Sequence, residues 1–162
     1  MYTVKQFLEW FPENDFAVLD HGFARYGRDY YVVAETQFGH DPGRYLLLFT
    51  HVVTAAIVTR VRDDVWTDSW DDVFTDYAAW ERAGEPDGYV WGSNWTLAYP
   101  GLRAVEPSPR ALAWTSRLGR PMYEAVLETD RFELTLVFHS LRTKKIDDRT
   151  DLVSQVVFPL KE

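Results

Sequence analysis

The sequence predicts an α+β domain: a largely antiparallel sheet of about five or six strands with two or three helices packed on it. Three observations lead there. Runs rich in β-branched and aromatic residues are separated by turn residues, as strands are. Two other segments carry apolar residues at helical spacing with start and stop signals at their ends. The order of elements (helix, strands, helix, strand, helix, hairpin) lacks the strict alternation that builds a parallel sheet. A chain of 162 residues with 46% hydrophobic residues makes one globular domain over 1–162.

Val4, Phe7, Leu8 and Phe11 form one face of a first short helix that Pro12 stops. "DYYVVAETQF" at 29–38 reads as the first strand, and "HDPG" at 40–43 as a turn. "RYLLLFTHVVTAAIVTRVR" at 44–62 is too long for one flat strand, so it predicts one long bent strand or two broken near Thr54 to Ala56. From 68 to 83 the spacing turns helical: Trp70, Val73, Phe74 and Tyr77 share a face, Ser69 and Asp72 suit a capping box, and Gly84 suits the stop.

Residues 89–99 alternate Tyr89, Trp91, Trp95, Leu97 and Tyr99 against Gly92, Asn94, Thr96 and Ala98. This predicts a strand with a buried aromatic face, ended by "YPG". Ser108, Pro109 and Gly119 are cap, first-turn and stop residues of a helix with Ala111, Trp114, Thr115 and Leu118 inside. "MYEAVLET" and "RFELTLVFHSL" form a hairpin around Thr129 and Asp130, with Phe132, Leu134, Leu136 and Phe138 on one face. "KKIDDRTD" reads as a charged connector and "LVSQVVFPL" as a last edge strand or tail.

Composition excludes several functions. There is no cysteine, hence no disulfide, thiol nucleophile or thiolate metal site. The start "MYTVKQFLEWF" lacks a basic region followed by an apolar one, and no run is long enough to span a membrane, so a cytoplasmic protein is expected. The net charge of −8 argues against nucleic acid, whose phosphates need a basic footprint, and suits a cationic protein partner. No phosphate-binding glycine loop, dinucleotide fingerprint or nucleophile elbow occurs. His21, His40, His51 and His139 show no metal-ligand spacing, so neither metal nor cofactor is expected. Glu35, Glu124 and Glu133 are expected on the solvent face of the sheet.

Two stretches carry candidate sites. In "DDVWTDSWDDVFTD", Asp68, Asp72 and Asp76 are four apart and would stack on one helix face, where like charges repel by about 0.2–0.5 kcal/mol per pair. That face is either solvated or an anionic surface that steers a cationic partner. "HGFARYGRDYY" at 21–31 is the loop and entry of the first strand. It is either a hydrogen-bonded strand entry, with Arg25, Arg28, Asp20 and Asp29 placed to pair locally, or a pocket using His21, Arg28 and Tyr30; a cleft beside the strand of Trp91 and Trp95 is a further candidate.

"HGF-x-x-Y-x-RDY" (21–30), "DGYVWG-x-x-W-x-x-x-YPG" (87–101) and "LTLVF-x-x-LR" (134–142) resemble the YxiG-like family of bacterial proteins. The middle motif is the most specific. The resemblance divides the chain into a family-like core at 16–145, an N-terminal helix extension at 1–15 and a tail at 146–162. It supplies no catalytic residues to carry over. It implies a bacterial protein from loci that encode secreted toxins and small acidic immunity proteins. The expectation is therefore a non-enzymatic binding protein of the immunity type, which neutralises a toxin domain by protein–protein contact. The alternative is a small-molecule binder or an enzyme with a cleft near His21; third is a homo-oligomer joined through an exposed aromatic strand face. The sequence leaves the oligomeric state open.

Overall fold

A computed structural model describes residues 16–37, 41–60, 63, 74, 76–86, 90 and 95–147. Eight strands run β1 Phe16–Ala24, β2 Asp29–Thr36, β3 Gly43–Thr50, β4 Thr54–Thr59, β5 Thr96–Ala104, β6 Tyr123–Thr129, β7 Phe132–Phe138 and β8 Ser140–Ile146. They form one antiparallel sheet in the order β4-β7-β6-β5-β1-β2-β3-β8. Two short α-helices are described, α1 Tyr77–Arg82 and α2 Pro109–Leu118, with a 3-10 turn at Arg25–Gly27.

This corrects the predicted architecture. Among the described residues the sheet has eight strands rather than five or six, and no helical layer covers it. Helix α1 buries none of its residues. Helix α2 sets Ala111 and Trp114 against Val53, Met122 and Val137 at one end of the β6–β7 pair. The main core forms between the strands themselves. Phe16, Val18, Tyr30, Val32, Tyr45, Leu47, Phe49, Ala98, Leu127, Leu134, Phe138 and Leu141, from seven of the eight strands, make one buried cluster.

The sheet can bury its own face because its two ends are continuous in the chain. Strand β3 runs into β4 through His51–Val53, and β7 runs into β8 through His139 alone. The ladder Arg44↔Ile146 to Thr50↔Ser140 therefore continues as Thr54↔Val137 to Thr59↔Phe132. At the joint, His139 N–H donates to Thr50 O (2.9 Å) and Val53 N–H to Val137 O (2.9 Å). One kinked ribbon thus closes the sheet into a barrel-like ring, as bent strands do at the corners of orthogonal packings. The stretch 44–62 is broken, as expected, but at 51–53, where His51 has φ 50°.

Strand β1 is a second correction, because the sequence places 21–28 in a loop. Its alternation is hidden by a register shift between Val18 and Asp20. Leu19 is the extra residue, so Phe16 and Val18 on one side of the bulge, and His21 and Phe23 on the other, share the inner side. Strand β3, "YLLLFT", is buried on both faces from Tyr45 to Thr50, which explains its unbroken apolar run.

Strand β5 inverts the predicted faces. Thr96 and Ala98 are buried, and Ala98 sits in the core, whereas Trp95 and Tyr99 are exposed. The strand also passes through "YPG" with a register shift between Ala98 and Gly101 and continues to Ala104. Trp91 lies outside the described residues.

Helix α2 follows its signals closely: the Ser108 hydroxyl accepts from Ala111 N–H (2.9 Å), and Gly119 closes the helix at φ 66°, a conformation glycine adopts freely. Leu118, however, is exposed. The β6–β7 hairpin has the expected inner face, and Lys144–Ile146, read as connector, belong to β8. The helix at 3–11 and the tail strand at 152–160 lie outside the described residues.

Candidate functional site

The β1–β2 hairpin carries the densest polar and aromatic grouping among the described residues. Its tip is built on Asp29, whose side chain is fully buried. That carboxylate accepts from Arg28 Nε (2.9 Å) and Nη2 (2.7 Å), accepts the backbone N–H of His51 (3.0 Å), and pairs with Arg25 Nε at 3.5 Å. Burial pushes its pKa up, but the Arg28 and His51 hydrogen bonds and the two guanidinium charges outweigh that and hold it below the usual carboxylate range. Val52 N–H donates to Arg28 O (2.8 Å), so the tip and the β3–β4 joint brace each other.

On this base, Arg25 and Tyr26 stand in the left-handed region at φ 50° and 61°, followed by Gly27 at φ 83°. A tyrosine there is strained, and such strain persists only where surrounding contacts enforce it. The result is that Tyr26 projects wholly into solvent, at 109% relative exposure, beside the exposed Phe23.

From the tip an aromatic file runs inward: Phe23 to Tyr30 (centroids 5.0 Å), Tyr30 to His21 (6.0 Å) and His21 to Phe132 (4.7 Å). The His21 Nδ1 and the Tyr30 hydroxyl are hydrogen-bonded at 2.7 Å. Burial lowers the His21 pKa against the opposing charge of Asp20, and burial raises Tyr30 to about 12, so both are neutral near pH 7. An open cleft of about 270 Å³ lies here, lined by Asp20, His21, Trp95, Thr96, Arg131 and Phe132 among others. Asp20 spends its carboxylate on His21's own backbone N–H (2.8 Å) and the Tyr31 hydroxyl (3.0 Å). Among the described residues, then, no carboxylate is hydrogen-bonded to the imidazole, whose Nδ1 is engaged by the Tyr30 hydroxyl. This arrangement can offer hydrogen bonds and ring faces to a ligand.

The structure brings His21, Tyr30 and Trp95 to one region. Arg28 turns away to Asp29, and Trp91 lies outside the described residues. Of the three aspartates, Asp68 and Asp72 also lie outside them. Asp76 is not within a helical stack: it is extended (φ −148°, ψ 150°) and caps α1 by accepting from Ala79 N–H (2.6 Å). The helix starts one residue after it, because a side chain that caps the first turn cannot also sit on the helix face. Glu124 corrects a further expectation: it is buried, bound by the Ser108 hydroxyl and paired with Arg110 at 3.2 Å.

Sequence reasoning missed Phe23 and Tyr26; the local pairing of Asp29 with Arg25 and Arg28 is as expected, but the burial of Asp29 and its bond from His51 N–H are not foreseen. The available signal was the tripeptide Arg25-Tyr26-Gly27 between two apolar segments, which is hairpin-tip chemistry. Among the described residues no three His, Asp or Glu side chains converge as metal ligands. No helix among them is long and apolar enough to cross a membrane.

The fold and site define a class: a self-closed antiparallel sheet that displays an aromatic-tipped, internally braced hairpin. The family model described as YxiG-like protein matches residues 3–155, and the chain belongs to that family. The match reaches beyond the 16–145 core on which the motifs fall. Searches of curated proteins and of solved structures found no match.

Proposed function

We propose that this chain is a non-enzymatic binding protein of the bacterial immunity type, which holds a cationic toxin domain through the tip of its β1–β2 hairpin. The observation that carries the reading is Tyr26: a fully exposed aromatic, strained at φ 61°, on a loop whose buried Asp29 ties Arg25, Arg28 and the next joint together. Aromatic anchors with little freedom left to lose are what tight interfaces use. The net charge of −8 adds long-range attraction for a basic partner and speeds its approach. The His21 cleft lends less support to an enzyme, because its imidazole is neutral, engaged by Tyr30 and, among the described residues, hydrogen-bonded to no carboxylate.

The test is co-expression with the product of each adjacent gene, followed by titration calorimetry on any pair that co-purifies. The expected result is a complex that protects host growth and that weakens at least tenfold with Tyr26→Ala, while the melting temperature is unchanged. A complex indifferent to Tyr26→Ala and Phe23→Ala would move the site elsewhere. Failure of every neighbouring product to bind would remove the immunity reading.

A further inference from the structure

In a chain of net charge −8, basic side chains gather at one place: the joint where β3 runs into β4 and β7 into β8. His51 and His139 meet there, with ring centroids 5.9 Å apart and planes at 78°. Each is tied to a segment that carries an arginine. Val52 N–H, next to His51, donates to Arg28 O (2.8 Å), and His51 N–H shares the Asp29 carboxylate with the Arg28 guanidinium (3.0 and 2.7 Å). The His139 ring donates to Pro121 O (2.8 Å), next to Arg120. Four segments distant in sequence thus converge on one surface.

We infer that this joint is a binding site for a phosphate-type dianion, held by Arg28, Arg120, His51 and His139. Three observations select that ligand. First, the local charge has its size and sign. Arg25 and Arg28 share Asp29, and among the described residues no carboxylate pairs with Arg120 or with either imidazole. Three guanidinium groups against one carboxylate leave two positive charges, which a dianion cancels. The same charges oppose a metal ion on the histidine pair.

Second, donors are available. Arg28 commits Nε and Nη2 to Asp29 and leaves Nη1 uncommitted among the described residues, on a side chain that is 45% exposed. Arg120 and His51 are also exposed. Guanidinium groups match phosphate oxygens in geometry as well as charge.

Third, the backbone presents the ring. His51 stands in the left-handed region at φ 50°, a conformation that persists where contacts enforce it. The bonds of His51 N–H and Val52 N–H to the Asp29 side chain and Arg28 O are those contacts.

Protons are coupled to such a ligand. A carbonyl only accepts, so the His139 Nδ1 carries the hydrogen and Nε2 the lone pair. Nε2 can donate to an anion only after it takes up a proton. Burial first, then the charge of Arg28, lowers the His51 pKa; Arg120 and His139 add to this and Asp29 opposes it. A dianion reverses the sign of that field. Binding therefore takes up protons, and affinity rises as pH falls.

The site is separate from the exposed Tyr26, and its test needs no protein partner. The probe is sulfate, which stays dianionic, titrated at constant ionic strength while the imidazole resonances of His51 and His139 are followed by NMR. Both should saturate on one isotherm, with an affinity at least about tenfold higher at about pH 6 than at about pH 8. Arg120→Gln should keep the melting temperature and weaken binding about tenfold or more, as loss of a charge-assisted bond does. His139→Gln should flatten the pH dependence. Arg103→Gln removes an equal charge where Arg103 pairs with Glu128, and should leave the affinity unchanged. Inorganic phosphate and phenyl phosphate, compared in the same way, distinguish a free ion from the phosphoryl group of a larger molecule by which binds tighter. Shifts that do not saturate, binding weakened equally by Arg103→Gln and Arg120→Gln, or an affinity that does not rise toward pH 6 would each overturn the inference.

Discussion

Replacing Asp29 by alanine tests whether the hairpin tip is held from within. The substitution removes both hydrogen bonds from Arg28, the acceptor for His51 N–H, and the pairing with Arg25. Breaking a buried ion pair costs about 3–5 kcal/mol when the orphaned partner stays buried. Here the arginine side chains are 45% and 28% exposed and can turn to water, which lowers the figure. The His51 N–H, in a part-buried bond, also loses its acceptor, and an unsatisfied donor costs about 1–3 kcal/mol where water does not replace the partner. Together the expected loss is about 3 kcal/mol. In a chain of this length that is a fall in melting temperature of about 6–12 °C. Asp29→Asn keeps an acceptor for His51 and loses only the charge, so it should cost about 1–2 kcal/mol.

The pH dependence separates charge from packing. Because the folded pKa of Asp29 is depressed, its contribution is complete above the unfolded value, about 3.9, and is lost as pH falls through the lower folded value. The stability gap between the wild type and Asp29→Asn should hold from pH 7 to 5 and close below about pH 4. Urea denaturation at several pH values measures all three proteins. A loss under about 1 kcal/mol for Asp29→Ala, or a gap that does not change between pH 5 and 3, would refute the argument.

Further outcomes follow from other groups. His21 and His51 both have lowered pKa values, from burial first, so the native state favours their neutral forms; stability should be complete above about pH 6.5 and decline as pH falls below it, with a shallower decline in His21→Gln. Leu134→Ala, at a position with no exposure, should cost about 2–5 kcal/mol, whereas Trp95→Ala, at 47% exposure, should cost under about 1.5 kcal/mol, both read from urea midpoints. Asp76→Ala should accelerate amide exchange at Ala79 while Asp76→Asn leaves it unchanged, since asparagine caps as well as aspartate. Ser108→Ala should cost about 1–2 kcal/mol, because it uncaps α2 and also takes a partner from the buried Glu124.

What was legible in the sequence was whatever local chemistry decides. The cap, first-turn proline and closing glycine of α2 act within a few residues, and so does the alternation of Phe132, Leu134, Leu136 and Phe138. The antiparallel character of the sheet and a break in 44–62 were legible for the same reason. What was hidden depends on distant partners. A bulge at Leu19 scrambles the period of β1, so a strand resembled a loop. In β5 the small residues face inward because Phe16 of β1 fills the space opposite Ala98, which no local pattern reveals. The number of strands depended on one-residue and three-residue joints that the apolar pattern crosses without interruption. At the site, His21, Tyr30, Trp95 and the pairing of Asp29 with Arg25 and Arg28 were legible in advance, but the exposure of Tyr26 and the full burial of Asp29 were not. Their roles come from a backbone conformation and a burial that sequence spacing does not express.

The joint at His51–Val53 and His139 also governs when the molecule can be completed during synthesis. Thr50 bonds Ser140 across ninety positions of sequence. Strands β3 and β4 are finished at Thr59, but the strands that cover them end at Ile146. At translation rates of about 5–20 residues per second, the "YLLLF" edge waits roughly 4–17 s for its partner. Through that interval one of the most apolar segments of the chain has an open ladder on one side, and neighbouring nascent chains on the same message carry the same open ladder. Slower synthesis downstream of residue 59 lengthens that interval in proportion.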